Sequence, residues 1–275
     1  DVFSKYSELL SNAEFDSDDD ALGSLLDDEI SDPEDGAQSN EKIQEWLEAI
    51  PQAWTKYVCG QSEMKSASEN KPVDVTPALL NAGFEGMLGD KTGTEYWSVT
   101  RNGGNEGYQY GIYEFYNNNS FDIHQTIKGM TPGYYQVKVQ SLYRAGGNTN
   151  NLAIYTEKPD SAQYVEFYAN DHVAPVKNVL ALEDIAESAF VAGEPLGVNG
   201  EIVVDYKGNA NFTIPNTREA LEQYFGAGCY WNVLECEVGA DGELTVGLRK
   251  DTHLGDDWCP YDNFQIFYLG TTAPT

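Results

Sequence analysis

Basic residues are scarce in this chain. Sixteen Lys and Arg stand against 45 Asp and Glu in 275 residues, a formal net charge of −29. Neutralising phosphates needs the opposite balance, so nucleic acid is excluded as a partner, and an anionic membrane surface is disfavoured for the same reason. A polyanionic glycan would need a local basic pocket. A neutral ligand, a cation or another protein remains, beside the plainer reading that acidity only keeps the chain in solution. Histidine is sparse too. His124, His172 and His253 include no pair at metal-ligand spacing on one element. The four cysteines, Cys59, Cys229, Cys236 and Cys259, form no C-x-x-C pair, which argues against zinc. A bridge from Cys229 or Cys236 to Cys259 and four buried free thiols both stay open. No run of 18 apolar residues is present, so no helix of this sequence is expected to span a membrane. Nucleophile-elbow and phosphate-cradling glycine motifs are missing. The chain starts at Asp1 without a Met or a signal-like apolar region, and reads as a mature or trimmed fragment.

Aromatic residues are plentiful, at 12% with 18 Tyr and 5 Trp. They favour β-structure and surfaces that stack on ligands. Two compositions share the chain. Residues 1–72 hold 18 acidic and 5 basic residues, a local charge of −13. Within them Ile43, Trp46, Leu47, Ile50, Ala53, Trp54, Tyr57 and Val58 recur at helical spacing. Pro51 should kink that helix, because it cannot bond back to the Leu47 carbonyl. Further helices over about 17–30 and 3–10 complete an expected small acidic bundle. Asp16, Asp18, Asp20 and Asp27 match part of an EF-hand spacing, but Ala21 stands where the loop needs glycine. Helix-start acidity is the simpler account. Residues 61–72 read as a polar linker.

From residue 73 the period changes to two. Phe121, Ile123, Gln125 and Ile127 alternate with polar residues, as do Tyr135, Val137, Val139, Ser141 and Tyr143, and again Leu244, Val246 and Leu248. Turn signals at 131–134, 145–148 and 240–243 separate the runs. Many short strands with such turns predict a β-sandwich or barrel over 73–275. "NTREALEQYF", 216–225, is the one helix expected there, with Asn216 and Glu219 as a capping box. The glycine-rich 101–111 reads as a loop, and 170–195 as a long loop with a helical turn. The last strand, "WCPYDNFQIFYLG" at 258–270, is apolar on both faces. Asp262 and Asn263 near its start are either turn chemistry or the mark of a hard cation.

"NAGFEG" at 81–86, the long run 113–146, "FGAGCYWNVLECEVGADGELTVGLRK" at 225–250 and the final strand together resemble the galactose-binding-like jelly-roll modules of secreted and surface proteins from glycan-degrading gut bacteria. The preceding helical segment is similar to the spacers found before such modules. The resemblance implies a mainly β jelly-roll sandwich with a small N-terminal helical bundle, secreted or at the cell surface as part of a larger protein. It also implies a structural Ca²⁺ where "N-x-x-F-E" meets the last strand, held by Glu85 and Asp262 with Asn81 adjacent.

A neutral glycan is held by aromatic faces, with amides, carboxylates and Arg on its hydroxyls. Glu114, Tyr116 and Asn117 beside one another, Arg144 ending the matching strand, and Trp97 and Trp258 near other strand ends are the candidate ligand residues. Core packing is the competing role for the aromatics, as for Tyr143, Trp231 and Phe264. A buried Glu114–Arg144 ion pair competes for the charges. Non-catalytic carbohydrate binding leads. A structural or protein-interaction module is the alternative. A glycosidase, with Glu114 and Glu235 or Glu237 as its acid pair, comes third.

Overall fold

The computed structural model describes residues 49, 51–85, 94, 96–147, 163–182 and 190–275. The expected bundle before residue 49 and the EF-hand-like aspartates lie outside these residues. Thirteen strands are described: β1 Val73–Asp74, β2 Ser98–Asn102, β3 Asn105–Gln109, β4 Ile112–Tyr116, β5 Ser120–Lys128, β6 Gly133–Ser141, β7 Val165–Ala169, β8 His172–Pro175, β9 Glu201–Tyr206, β10 Asn209–Pro215, β11 Trp231–Val238, β12 Glu243–Lys250 and β13 Trp258–Gly270. The first sheet runs β11-β6-β13-β4-β3, with β1 also on β13; the second runs β2-β5-β12-β7-β8. Every pairing is antiparallel, and β9–β10 is a separate hairpin.

Period-two patterning sets which face is inside. Ile123, Val246, Leu248 and Phe167 of the second sheet bury against Val137, Val139, Phe264 and Ile266 of the first. Phe115 stacks on Phe121 across the gap, with centroids 4.2 Å apart. A sandwich with one aromatic-rich core results. The double apolarity of β13 also finds its reason: Phe267, on the outer face, lies under the Lys138 ammonium at 5.0 Å.

Residues 51–58 are helical, as the spacing predicts. The stretch expected as a polar linker, 61–72, packs on the sandwich. Ser62–Ser66 is a 3-10 turn that buries Met64, and Met64 joins Val58 and Cys59 in the core. Trp54 donates its indole N–H to the Pro77 carbonyl at 2.8 Å.

The 101–111 segment is not a loop. It contributes the end of β2 and all of β3, closed by a two-residue turn in which Tyr110 (φ 58°) and Gly111 (φ 76°) are both left-handed. That conformation matches hairpin twist, and glycine adopts it without a Cβ penalty. Arg218–Gly226 forms a helix, α1 here. Its N-cap is Thr217, whose hydroxyl accepts from Ala220 N at 3.1 Å, so the capping role expected of Asn216 falls one residue later. Cys59, Cys229, Cys236 and Cys259 are buried free thiols.

Candidate functional site

Glu114, Tyr116, Arg144 and Trp258 come together. Tyr116 of β4 pairs with Trp258 of β13, and Trp258 bridges to Arg144 just beyond β6. Three neighbouring strands therefore deliver these side chains to one end of the first sheet. With Gln109 and Tyr110 of the β3–β4 hairpin and Asn216–Glu219 at the start of α1, they line a cavity of about 410 Å³.

Its walls are fixed by hydrogen bonds. Trp258 Nε1 donates to Glu114 Oε2 at 2.7 Å. Arg218 pairs with the other oxygen, Oε1, at 3.4 Å and donates to Gln109 Oε1 at 3.2 Å. Gly107 makes this meeting feasible: a Cβ there would lie 3.0 Å from Glu114 Oε1 and press on the Arg218 guanidinium. Arg144 stacks over the Trp258 ring at 5.1 Å, donates to Asn216 Oδ1 at 2.6 Å and to the Gly146 carbonyl at 3.1 Å. Tyr116 donates to Asp256 Oδ1 at 3.1 Å; burial first and this carboxylate second raise its phenol pKa. Two arginines and two glutamates line the pocket, so it carries no net charge.

The roles differ from expectation in several places. The ion-pair partner of Glu114 is Arg218, which the sequence reading missed. Trp258 is only 4% exposed, so it is a wall and not an open platform. Tyr110, 46% exposed at the hairpin tip, takes the platform position. It went unnoticed because its segment read as a loop. Asn117 stands outside the lining; its Oδ1 accepts from Asp256 N at 2.9 Å, bracing the neighbouring loop. Trp97 is 7% exposed and packs between Phe84 and Phe264, with centroids at 4.9 and 4.8 Å. Its N–H is spent on the Asn81 carbonyl at 3.0 Å. Core packing, not ligand contact, is its role.

Glu235 and Glu237 lie on β11, three strands from Glu114 on β4. At about 4.8 Å per strand the separation is on the order of 14 Å, beyond the carboxylate spacing of glycosidases. That acid pair is not assembled.

On the other side of the β3–β4 turn, Glu85 and Asp262 both approach Gly111. A Cβ on Gly111 would stand 3.8 Å from Glu85 Oε1 and 3.9 Å from Asp262 Oδ2. Asp262 sits where the β13 register shifts, and the bulge is tied to the 81–85 turn by Phe264 N donating to the Ala82 carbonyl at 3.0 Å. Burial, with Glu85 adding repulsion, pushes the Asp262 carboxyl up to about 8, against the opposing pull of the Asn263 N–H. Asn81 lies at the start of the same turn, nearly buried, with φ 53°. Among the described residues no cluster of three or more His, Cys, Asp or Glu suited to a metal occurs. A cation here would rest on the two carboxylates completed by amide or carbonyl oxygens, which is hard-cation chemistry. The donor set fits Ca²⁺ in charge and hardness.

No known family profile and no curated protein matches the chain. Among solved structures it is similar to TmCBM61, solved in complex with β-1,4-galactotriose, at 16% identity and a TM-score of 0.31, over 69% of this chain and 97% of that one. It is also similar to CBM35 from Paenibacillus barcinonensis, at 13% identity and a TM-score of 0.24, over 66% and 95% of the two chains. Both neighbours are carbohydrate-binding modules, and the likeness to this chain is low.

Proposed function

We propose that the sandwich, with residues 51–72 packed on it, is a non-catalytic carbohydrate-binding module of jelly-roll type, belonging to a larger secreted or cell-surface protein, with residues 1–48 as the spacer before it. A neutral sugar enters the end pocket. Its ring face rests on Tyr110 and Tyr116, while Gln109, Glu114, Arg144 and Arg218 bond its hydroxyls. The observation carrying this reading is the fixed geometry of Glu114, Arg144 and Arg218. Each is held by other side chains before any ligand arrives, so little ordering entropy is lost on binding. The absence of net charge in the pocket favours a neutral ligand over an anion.

Calcium belongs to the same proposal. Glu85 and Asp262, with Asn81 beside them, would hold Ca²⁺. The ion offsets the charge that burial otherwise disfavours on Asp262.

Binding to a printed glycan panel followed by calorimetry tests the sugar site. Tyr110→Ala and Gln109→Ala remove only exposed contacts. Each is expected to weaken binding by about fivefold, since one stacking contact or neutral hydrogen bond contributes about 1 kcal/mol. A panel that shows no bound glycan, or affinities unchanged in both variants, removes the proposal. A protein-interaction role is the second reading. It rests on Val191, Leu196 and Val203, exposed around the β9–β10 hairpin.

A further inference from the structure

We propose a second saccharide-binding site, independent of the end pocket: a cleft across β2, β5, β12 and β7 that takes the hydroxyls of a neutral oligosaccharide. A cavity of about 700 Å³ lies there, larger than the end pocket and within the range of small-ligand sites.

Strand register builds it. Thr100 pairs with Asp122, Asp122 with Arg249, and Arg249 with Glu166. One row thus presents a side chain from each of four strands, while the alternate residues Ile123, Leu248 and Phe167 are fully buried. Asp122 organises the row. Its Oδ1 lies 2.6 Å from His124 Nδ1, and the Tyr168 hydroxyl donates to Oδ1 and Oδ2 at 3.0 and 3.2 Å. Arg249 covers the Tyr168 ring at 4.9 Å and donates from Nε to Glu166 Oε2 at 2.8 Å.

Gly247, beside the cleft, clears the way for the Tyr168–Asp122 bond. A Cβ there would strike the Ile123 carbonyl and stand 2.7 Å from the Tyr168 hydroxyl and 2.8 Å from His124 Cβ. Without it, Tyr168 lies across β12 and its hydroxyl reaches Asp122.

The lining chemistry selects the ligand. With Lys250 already paired inside with Asp257, Arg101 and Arg249 stand against Asp122, Glu166 and Asp251. That ratio gives a polyanion no pull. So many polar groups offer nothing to an apolar ligand. The remainder is hydroxyl and amide from Thr100, Asn102, Ser120, Gln163 and Thr252, with the rings of Phe121 and Tyr164. Oriented donors alternating with acceptors at strand spacing suit a neutral polyhydroxyl chain. The end pocket at the hairpin tip takes a short ligand; this cleft lies across strands and takes a longer one.

The test uses the whole chain with disaccharides and tetrasaccharides from galactan, mannan, xylan and glucan, titrated calorimetrically. Arg249→Ala and Glu166→Ala alter side chains that are nearly half exposed, and near-UV circular dichroism checks their fold. Both are expected to weaken a tetrasaccharide by tenfold or more, and to change disaccharide binding at the end pocket little. Tyr110→Ala should do the reverse. Tetrasaccharide affinity untouched in both cleft variants overturns the inference, and so does a wild-type chain that binds no member of the panel. Loss in the cleft variants, with Tyr110→Ala silent, upholds the cleft and removes the end-pocket reading instead.

Discussion

Lys250 and Asp257 form an ion pair with side chains only 1% and 2% exposed. The Tyr143 hydroxyl donates to Asp257 Oδ2 at 2.8 Å, and the Lys250 ammonium lies 5.9 Å from the Phe121 ring. Desolvating two charges costs several kcal/mol, and only their mutual attraction and these partners offset it. Asp257→Ala strands the ammonium, and urea denaturation should show a loss of about 3–5 kcal/mol. The paired change Lys250→Met with Asp257→Leu should cost far less, since no charge is left unpaired. The thiols give another residue-scale expectation. Burial pushes Cys229, Cys236 and Cys259 up to about 12, and raises Cys59 as well. Thiolate is the reactive form. A disulfide-exchange dye at neutral pH should therefore register almost no thiol in the folded chain and all four after denaturation. Sequence spacing left a bridge to Cys259 open, because one-dimensional separation says nothing about Cβ direction. Trp97 and Trp258 were undecided for a related reason: both stand at the start of a strand, and only packing tells wall from platform.

Among elements, alternation was legible wherever one face is wet. β5, β6 and β12 were placed from their periods because the sandwich core takes every second residue. β3, β8 (inside the stretch 170–195 expected as a loop) and the β9–β10 hairpin were missed. β3 is an edge strand whose residues are all exposed or half-buried, so its sequence carries no period to read. The β9–β10 hairpin is a separate two-stranded sheet, and its burial does not alternate: the last four residues of β10 are all buried, so it carries no period-two signal either. The cap of α1 shows a finer limit. Asn216 and Thr217 are both good capping residues, and choosing between them depends on Arg144, which claims the Asn216 side chain. Thr217→Ala should lower stability by about 1 kcal/mol without changing sugar affinity much. Asn216→Ala should keep the helix cap and weaken the sugar instead, because Arg144 loses the partner that aims it. Thermal melts and calorimetry on the two variants separate these outcomes. Equal effects from both would mean that the cap and the pocket are not the separate devices described.

At the scale of the whole molecule, the end pocket and the carboxylate pair share one hinge of structure, the Tyr110–Gly111 turn. Tyr110 faces the pocket, and Gly111 is the floor that Glu85 and Asp262 both approach. Their convergence was legible only through family resemblance, since nothing in charge or period brings residue 85 to residue 262. The pair also sets a pH dependence. Asp262 has a folded pKa of about 8 against an ordinary 3.8. Between those values the native chain keeps a proton that the unfolded chain releases. Stability from this group is therefore fully present below about pH 4 and lost as pH rises to about 8. Calcium bound there would displace that proton, so its stabilisation should grow over the same interval. In chelator, the melting temperature should fall from about pH 5 to pH 8, and Asp262→Asn should flatten that fall. Added Ca²⁺ should raise the wild-type melting temperature more at pH 8 than at pH 6 and leave Asp262→Asn unmoved. Because the ion would brace the turn that carries Tyr110, chelation at pH 8 should also weaken sugar binding at the end pocket while sparing the cleft on the second sheet. A melting temperature indifferent to Ca²⁺ at pH 8 would remove the ion from this structure, and the turn would then owe its shape to the hairpin alone.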